Sequence, residues 1–322
     1  MRLWLNPPDE KGGNKLFIKT GDRVKKILFS CFRWFFLVSV GYIILFPLIY
    51  MLSNAFKPLE QLMDPSIVWV PRGGGNIENF KTAIKSLDIP STFFMSLRVG
   101  VVSALIEVLT CAVVAYGFAR FEFKEKNFVF ALVILTMIVP PQIIVVPLYM
   151  NFRHLDVFGV LGGIAQLTGA DIRPNLLNTP WVFHIPSMLA VGVRSGLFVF
   201  IYHQFFKQLP KELEEAAWID GSGPFQTFVK IILPSSGVVI LTVSIFSVIW
   251  HWNEYFLSTM FLMEKKTLSV ALAQLDAFAW SAQLQTGIYM AACLLFILPM
   301  LTMYLVLQRF FIKSIDRVGI VG

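Results

Sequence analysis

Apolar residues in this chain gather in long runs divided by short charged segments. A helix that crosses a bilayer needs about 20 mostly apolar residues. Six runs reach that length, at roughly 28–56, 91–119, 128–150, 185–206, 235–261 and 286–307. The pattern predicts an all-α integral membrane protein with six transmembrane helices. Pro47, Pro140, Pro141 and Pro147 lie inside runs. Neighbouring helices can satisfy the backbone groups that such residues release. The stretch "VPPQIIVVP" is therefore compatible with ordinary kinks and equally with a bent helix lining a pathway.

Composition strengthens the membrane reading. The 322 residues are 56% hydrophobic and 15% charged, with 31 Phe. Soluble domains carry about 25% charged residues. So much apolar surface cannot be hidden in one soluble core. The net charge of +7 would suggest nucleic acid in a soluble protein. Here the basic residues flank the apolar runs, so they report orientation instead, and no nucleic-acid partner is expected.

Arg2, Lys11, Lys15, Lys19, Arg23, Lys25 and Lys26 precede the first run, and Arg309, Lys313 and Arg317 follow the last. Both termini are expected in the cytoplasm, together with the loop carrying Arg120, Lys124 and Lys126. The expected organisation is a basic tail (1–27), a first helix (28–56), an extracytoplasmic loop (57–90), a core (91–308) and a cytoplasmic C-terminal tail (309–322). Within the core, 151–184 would be an outer loop and 207–234 an inner one. The first run is too long, and starts too far from the N-terminus, for a cleaved signal peptide, although Ser53–Ala55 loosely suits a cleavage site. It reads as a retained anchor in a multi-pass protein of the bacterial inner membrane. Cys31, Cys111 and Cys293 lie in separate runs and read as small buried hydrophobes.

Chemistry-bearing motifs are sparse. There is no G-x-x-x-x-G-K-[ST] phosphate loop and no H-E-x-x-H, and the four histidines are scattered. No metal, cofactor or catalytic residue is expected. Glu107 and Arg194 lie within runs, and Arg98 lies nearer a run's end. Intramembrane charge is by default functional. Glu107 and Arg194 could form the site of an ion-coupled secondary transporter, or line a translocation path with Asn253 and Glu254. Glu107 could equally be bonded to a neighbour, and Arg98 could snorkel outward.

One charged segment is unusually long: "KQLPKELEEAAWIDGSGPFQTFVKIILP", residues 207–234. Pro210 suits a first helical position, and Glu212, Glu214 and Glu215 suit the positive end of a helix dipole. Gly221 suits a left-handed stop, Ser222 an N-cap, and Pro224 the start of a second helix. Phe225, Phe228 and Ile232 form an apolar stripe that can rest on the spans. Ala216 and Ala217 leave a low surface that another protein can approach. These features fit a docking site, and equally an interfacial helix without a partner.

The residues Glu215, Ala216, Ala217, Gly221, Ile231, Leu233 and Pro234 match E-A-A, three residues, G, nine residues, I, one residue, L-P. That spacing resembles the cytoplasmic loop signature of ABC-importer permeases. "MIVPPQIIVVPLY", "WNEYF", "TLSVALAQL" and "LQRFFIKSI" are similar to the carbohydrate-importer branch, of the maltose-transporter MalG type. The likeness runs from about residue 28 to the C-terminus. The outer stretch 162–177 and the N-terminal tail depart from the family pattern. The resemblance implies the type I importer permease fold, a second homologous permease, a cytoplasmic ATPase dimer, an extracytoplasmic substrate-binding protein and the lipid bilayer as partners. It makes Glu215, Ala216, Ala217 and Gly221 coupling residues, with Asp220 a weaker candidate. ATP hydrolysis would then belong to a separate chain.

Overall fold

A computed structural model describes residues 11–67, 69–156, 159–170, 172–275 and 282–318. The start of the predicted basic tail (1–10), Val68, Asp171 of the stretch 162–177, and the end of the predicted C-terminal tail (319–322) lie outside the described residues. Every regular element among the described residues is a helix.

The first apolar run extends into one long helix, α1 (Lys11–Ala55). Two short helices follow, α2 (Leu59–Leu62) and α3 (Glu78–Ser86). The segment joining them is tied down. Lys57 Nζ donates to Asn54 Oδ1 at 3.0 Å and to the Ile67 carbonyl at 2.8 Å. Gln61 exchanges two hydrogen bonds with the Arg72 backbone, at 2.7 and 2.9 Å.

The second run becomes α4 (Ile89–Leu97), a wide π-turn (Arg98–Val102) and α5 (Ser103–Arg120). The third becomes α6 (Lys126–Ile138) and α7 (Pro141–Arg153), bent by 102°. Its cause is local: Val139 and Pro140 both precede prolines, which pushes them to extended conformations, and both are extended. "VPPQ" is thus a corner rather than a kink.

Beyond it lie α8 (Val160–Thr168) and α9 (Trp181–Met188). The predicted fourth span, 185–206, is not one helix. It divides into α9 and α10 (Ser195–Gln208), with a turn between them that places Ala190 and Arg194 at positive φ. Next come α11 (Glu212–Ile219), α12 (Pro224–Thr227), a second π-turn (Phe228–Ile232) and α13 (Leu233–Ser235). The fifth run gives α14 (Gly237–Asn253) and the short α15 (Phe256–Phe261), ending its main helix earlier than expected. Helices α16 (Leu268–Leu275) and α17 (Ala282–Val318) complete the chain.

Among the described residues, three helical stretches are long and apolar enough to cross a membrane: Lys25–Ala55, Ile89–Arg120 and Thr286–Phe310. Two bent pairs pass the same test together, α6 with α7 and Pro224–Ser235 with α14.

α5 is the central strut. Its small residues Cys111, Ala112 and Ala115 are buried against Phe198, Val199, Tyr202 and Phe206 of α10. Small side chains allow this close approach in a chain where lipid offers no hydrophobic contrast. Of the cysteines, Cys111 is buried as expected and Cys293 is half-buried, whereas Cys31 is exposed on α1. Loops then gather at two ends. Leu268 donates to Ser96 at 2.6 Å, and Glu264 to Asn178 at 2.9 Å, at one end of the molecule. The C-terminus of α5 meets 209–228 at the other.

Candidate coupling site

The segment 207–234 is built as a helix, a glycine turn and a second helix. α11 opens with Glu212, Glu214 and Glu215 at its dipole-favoured end. It starts two residues after Pro210, so proline precedes the helix rather than opening it. Its other end closes through paired bonds: Ser222 N–H to the Ala217 carbonyl at 2.9 Å and Gly221 N–H to the Trp218 carbonyl at 3.0 Å. This Schellman pattern needs a left-handed residue, and Gly221 has φ +82°. Gly223, not the expected Ser222, is the N-cap of α12, with Pro224 at its start.

α11 is fastened to the end of α5. Arg120 Nε lies 2.7 Å from Glu214 Oε1, with side chains only 6% and 4% exposed. The N–H is not aligned on that oxygen, so charge rather than a directed hydrogen bond sets this contact. The same guanidinium donates to the Leu209 carbonyl at 2.9 Å. Burial raises the Glu214 carboxyl above its ordinary range, and the Arg120 charge draws it part of the way back. Beneath the pair, the Tyr116 ring lies 4.9 Å from Phe228 and 6.0 Å from Phe206.

The expected coupling residues divide by face. Glu215, Ala216, Asp220 and Gly221 are exposed, and Ala217 is buried. Phe228 and Ile232 rest on the helices as expected, but Phe225 does not share their burial and is 74% exposed. With Ile219 at 86% and Trp218 at 49%, it leaves an apolar patch beside the exposed acidic turn.

Along α5 from Arg120 lies Glu107, fully buried. The Ser195 hydroxyl donates to its Oε1 in a short hydrogen bond, and Ser247 donates to Oε2 at 2.7 Å. His251 Nδ1 stands 3.7 Å from Oε2, and 2.9 Å from the Ser247 carbonyl. Thr110, one turn away, donates to the Ser187 carbonyl at 2.7 Å. This polar knot joins α5 to α9, α10 and α14. It does not include Arg194, whose guanidinium carbon lies over the Trp250 ring, 5.8 Å from its centre. Of the alternatives open for Glu107, bonding to neighbours is the one observed, and it does not pair with Arg194. Asn253 and Glu254 close the end of α14, Asn253 exposed and Glu254 half-buried.

Residues 108–317 match the model of the binding-protein-dependent transport system inner membrane component family. The chain belongs to that family.

The permease is 28% identical over 305 residues to a probable ABC transporter permease, YurM, of Bacillus subtilis, covering 95% of this chain and 93% of the relative. It is 29% identical over 260 residues to the melibiose/raffinose/stachyose import permease MelC of the same species, covering 80% and 86%. The arabinooligosaccharide permease AraQ of Halalkalibacterium halodurans is 26% identical over 294 residues, with 88% and 93% covered. Among solved structures, a bacterial ABC transporter involved in import of the acidic polysaccharide alginate superposes with TM-score 0.65 at 18% identity, covering 89% of this chain and 98% of that one. That likeness supports the fold. The permease is a transport subunit and not an enzyme.

Two residues that hold the permease's loop in place, Arg120 and Glu214, were not singled out by sequence. Arg120 reads as an orientation marker and Glu214 as a dipole partner. The usable signal was opposite charge in two segments predicted on the same side. Ser195 and Ser247 carry no signal, because isolated serines in apolar runs are common. Replacing Gly221 by alanine introduces no steric contact, since nothing lies within 4 Å of the new methyl group. Its whole effect is left-handed strain of about 1–2 kcal/mol. Faster amide exchange at Asp220–Gly223, with exchange in α5 unaltered, is the expected result.

Proposed function

We propose that this chain is a membrane-spanning permease subunit of an ATP-binding-cassette importer for a carbohydrate: a sugar, an oligosaccharide or a related polyol. It crosses the bacterial inner membrane six times with both termini in the cytoplasm, and the broken α9–α10 stretch counts as one crossing. A second homologous permease completes the path. A cytoplasmic ATPase dimer supplies energy, and an extracytoplasmic binding protein delivers the solute. The carbohydrate reading is supported by sugar-named relatives.

The observation that carries this reading is the rigid fastening of α11 to α5 beneath an exposed patch. Glu215, Ala216, Asp220 and Gly221 face outward with Trp218, Ile219 and Phe225, where an ATPase would dock. Ala217 packs the helix inward. Displacement of α11 then moves Arg120 and with it α5. About 20 Å along the same helix, at 1.5 Å per residue, Glu107 grips α10 and α14. A push at the loop thus reaches the helices around the path as a rigid-body shift between packed states. A secondary transporter centred on Glu107 and Arg194 is disfavoured, because the two groups have separate partners.

Ile219→Asp tests the docking surface. The side chain is exposed, so the variant should fold and insert normally. ATPase retained on the purified permease complex should fall at least tenfold, and uptake with it. Undiminished co-purification of the ATPase would sink the assignment of this patch.

A further inference from the structure

Arg194 is kept where three ordinary preferences oppose it. It is a non-glycine residue at φ +64°, a left-handed conformation that side chains disfavour. It is the N-cap of the 14-residue helix α10, where the dipole disfavours a cation. It also interrupts an apolar run read as a span. No carboxylate among the described residues lies within ion-pair distance of it.

What holds it is aromatic. The carbon of its exposed guanidinium lies over the Trp250 ring, 5.8 Å from the ring centre, and that ring packs on Phe246 and Phe198, each ring centre 5.6 Å away. A cation attracted to a ring face spends none of its N–H groups on that contact, so they remain able to donate to an oxyanion. Asn253, one turn beyond Trp250, donates its amide N–H to the Ile249 carbonyl at 2.8 Å. That leaves Asn253 Oδ1 as an acceptor. Glu254 has one carboxylate oxygen taken by the Leu257 N–H at 2.9 Å, at the start of α15.

We propose that Arg194, held over the Trp250 ring, is a specificity residue for an oxyanion on the transported solute, with Asn253 Oδ1 accepting from a neighbouring hydroxyl. The solute class is an acidic carbohydrate bearing a carboxylate, as in a uronic acid unit, or a phosphate ester. This rests on the importer reading above and narrows its substrate. Arginine suits both oxyanions, since its fork matches either in a bidentate contact.

The test is equilibrium binding to the detergent-purified complex of both permeases and the ATPase, without the binding protein. Three probes are compared: trigalacturonate, its carboxyl-reduced neutral trisaccharide, and galactose 1-phosphate. At least one anionic probe should bind tenfold more tightly than the neutral one, and the tighter of the two identifies the oxyanion. Arg194→Gln should erase that preference while retaining the ATPase on the complex, and Arg194→Lys should keep part of it. Equal binding of all three probes by the unaltered complex overturns the assignment. So does a preference that survives in Arg194→Gln. Purification of the unaltered permease without any ATPase overturns the importer reading, and this assignment with it.

Discussion

Replacing Arg120 by alanine is expected to abolish ATP-driven uptake by loosening the coupling loop, while leaving the membrane helices assembled. The substitution strands the Glu214 carboxylate in a site where its side chain is 4% exposed. Removing one member of a buried ion pair costs about 3–5 kcal/mol, because the other charge is left uncompensated. The Leu209 carbonyl loses its donor as well. Amide exchange in α11 and α12 should rise well before that in α5, and the ATPase should no longer co-purify.

The variant should also respond to pH, and the direction follows from Glu214. Burial already raises this carboxyl in the native chain, and Arg120 opposes the rise. Without Arg120 the folded-state pKa moves further up. A carboxyl raised on folding favours the folded state below its unfolded pKa of about 4.3. That contribution is lost as pH rises through the folded pKa. The loop of Arg120→Ala should therefore tighten as pH is lowered from neutral into the acid range. Adding Glu214→Gln should restore much of its protection at neutral pH, since no charge is then left buried. If Arg120→Ala keeps native loop protection at neutral pH, the pair does not hold the loop.

The second large effect is expected at Glu107. Glu107→Ala leaves the Ser195 and Ser247 hydroxyls without their acceptor in a buried site. Each unsatisfied buried group costs about 1–3 kcal/mol, and the lost side chain adds a cavity. Thermal unfolding of the purified complex should fall by many degrees, and transport should be lost. Glu107→Gln keeps the shape and one acceptor oxygen, so it should retain most of the stability. Gly192 reports on the same knot from another direction. A Cβ there would meet Ser187 Oγ at 2.8 Å and Glu107 Oε1 at 3.0 Å. Gly192→Val should thus resemble Glu107→Ala. Native-like melting of both variants would show that the knot contributes little.

Hydropathy alone located most of the long helices. Runs 91–119 and 286–307 fall within observed helical stretches nearly residue for residue, because a segment that crosses a bilayer must be largely apolar whether it faces lipid or neighbouring helices. It failed where the backbone turns inside an apolar run. Residues 185–206 read as one span, yet the chain breaks at 189–194. Gly192 and Arg194 were the marks inside the break, and they read first as a tolerated glycine and a charge rather than as a turn. The α6–α7 corner was signalled by Pro140 and Pro141, but proline spacing does not separate a kink from a 102° bend. In the coupling segment the glycine stop and the second proline start were legible, since both rest on local backbone preferences. The Arg120–Glu214 contact was not, because it joins elements far apart in sequence. Phe225 was misjudged for a related reason: a helical stripe says which residues can share a face, not where the helix ends.

The Schellman turn at Gly221 and the Arg120–Glu214 pair are complete within this one chain. The loop is consequently preorganised: its conformational entropy is lost during folding of the permease rather than at the moment of association. A binding partner then meets an already shaped surface and gives up little further freedom. A patch of a few side chains can suffice for attachment, and its strength can be low enough for a partner to leave and return. Detachment leaves the helix pair intact, so the permease presents the same face each time.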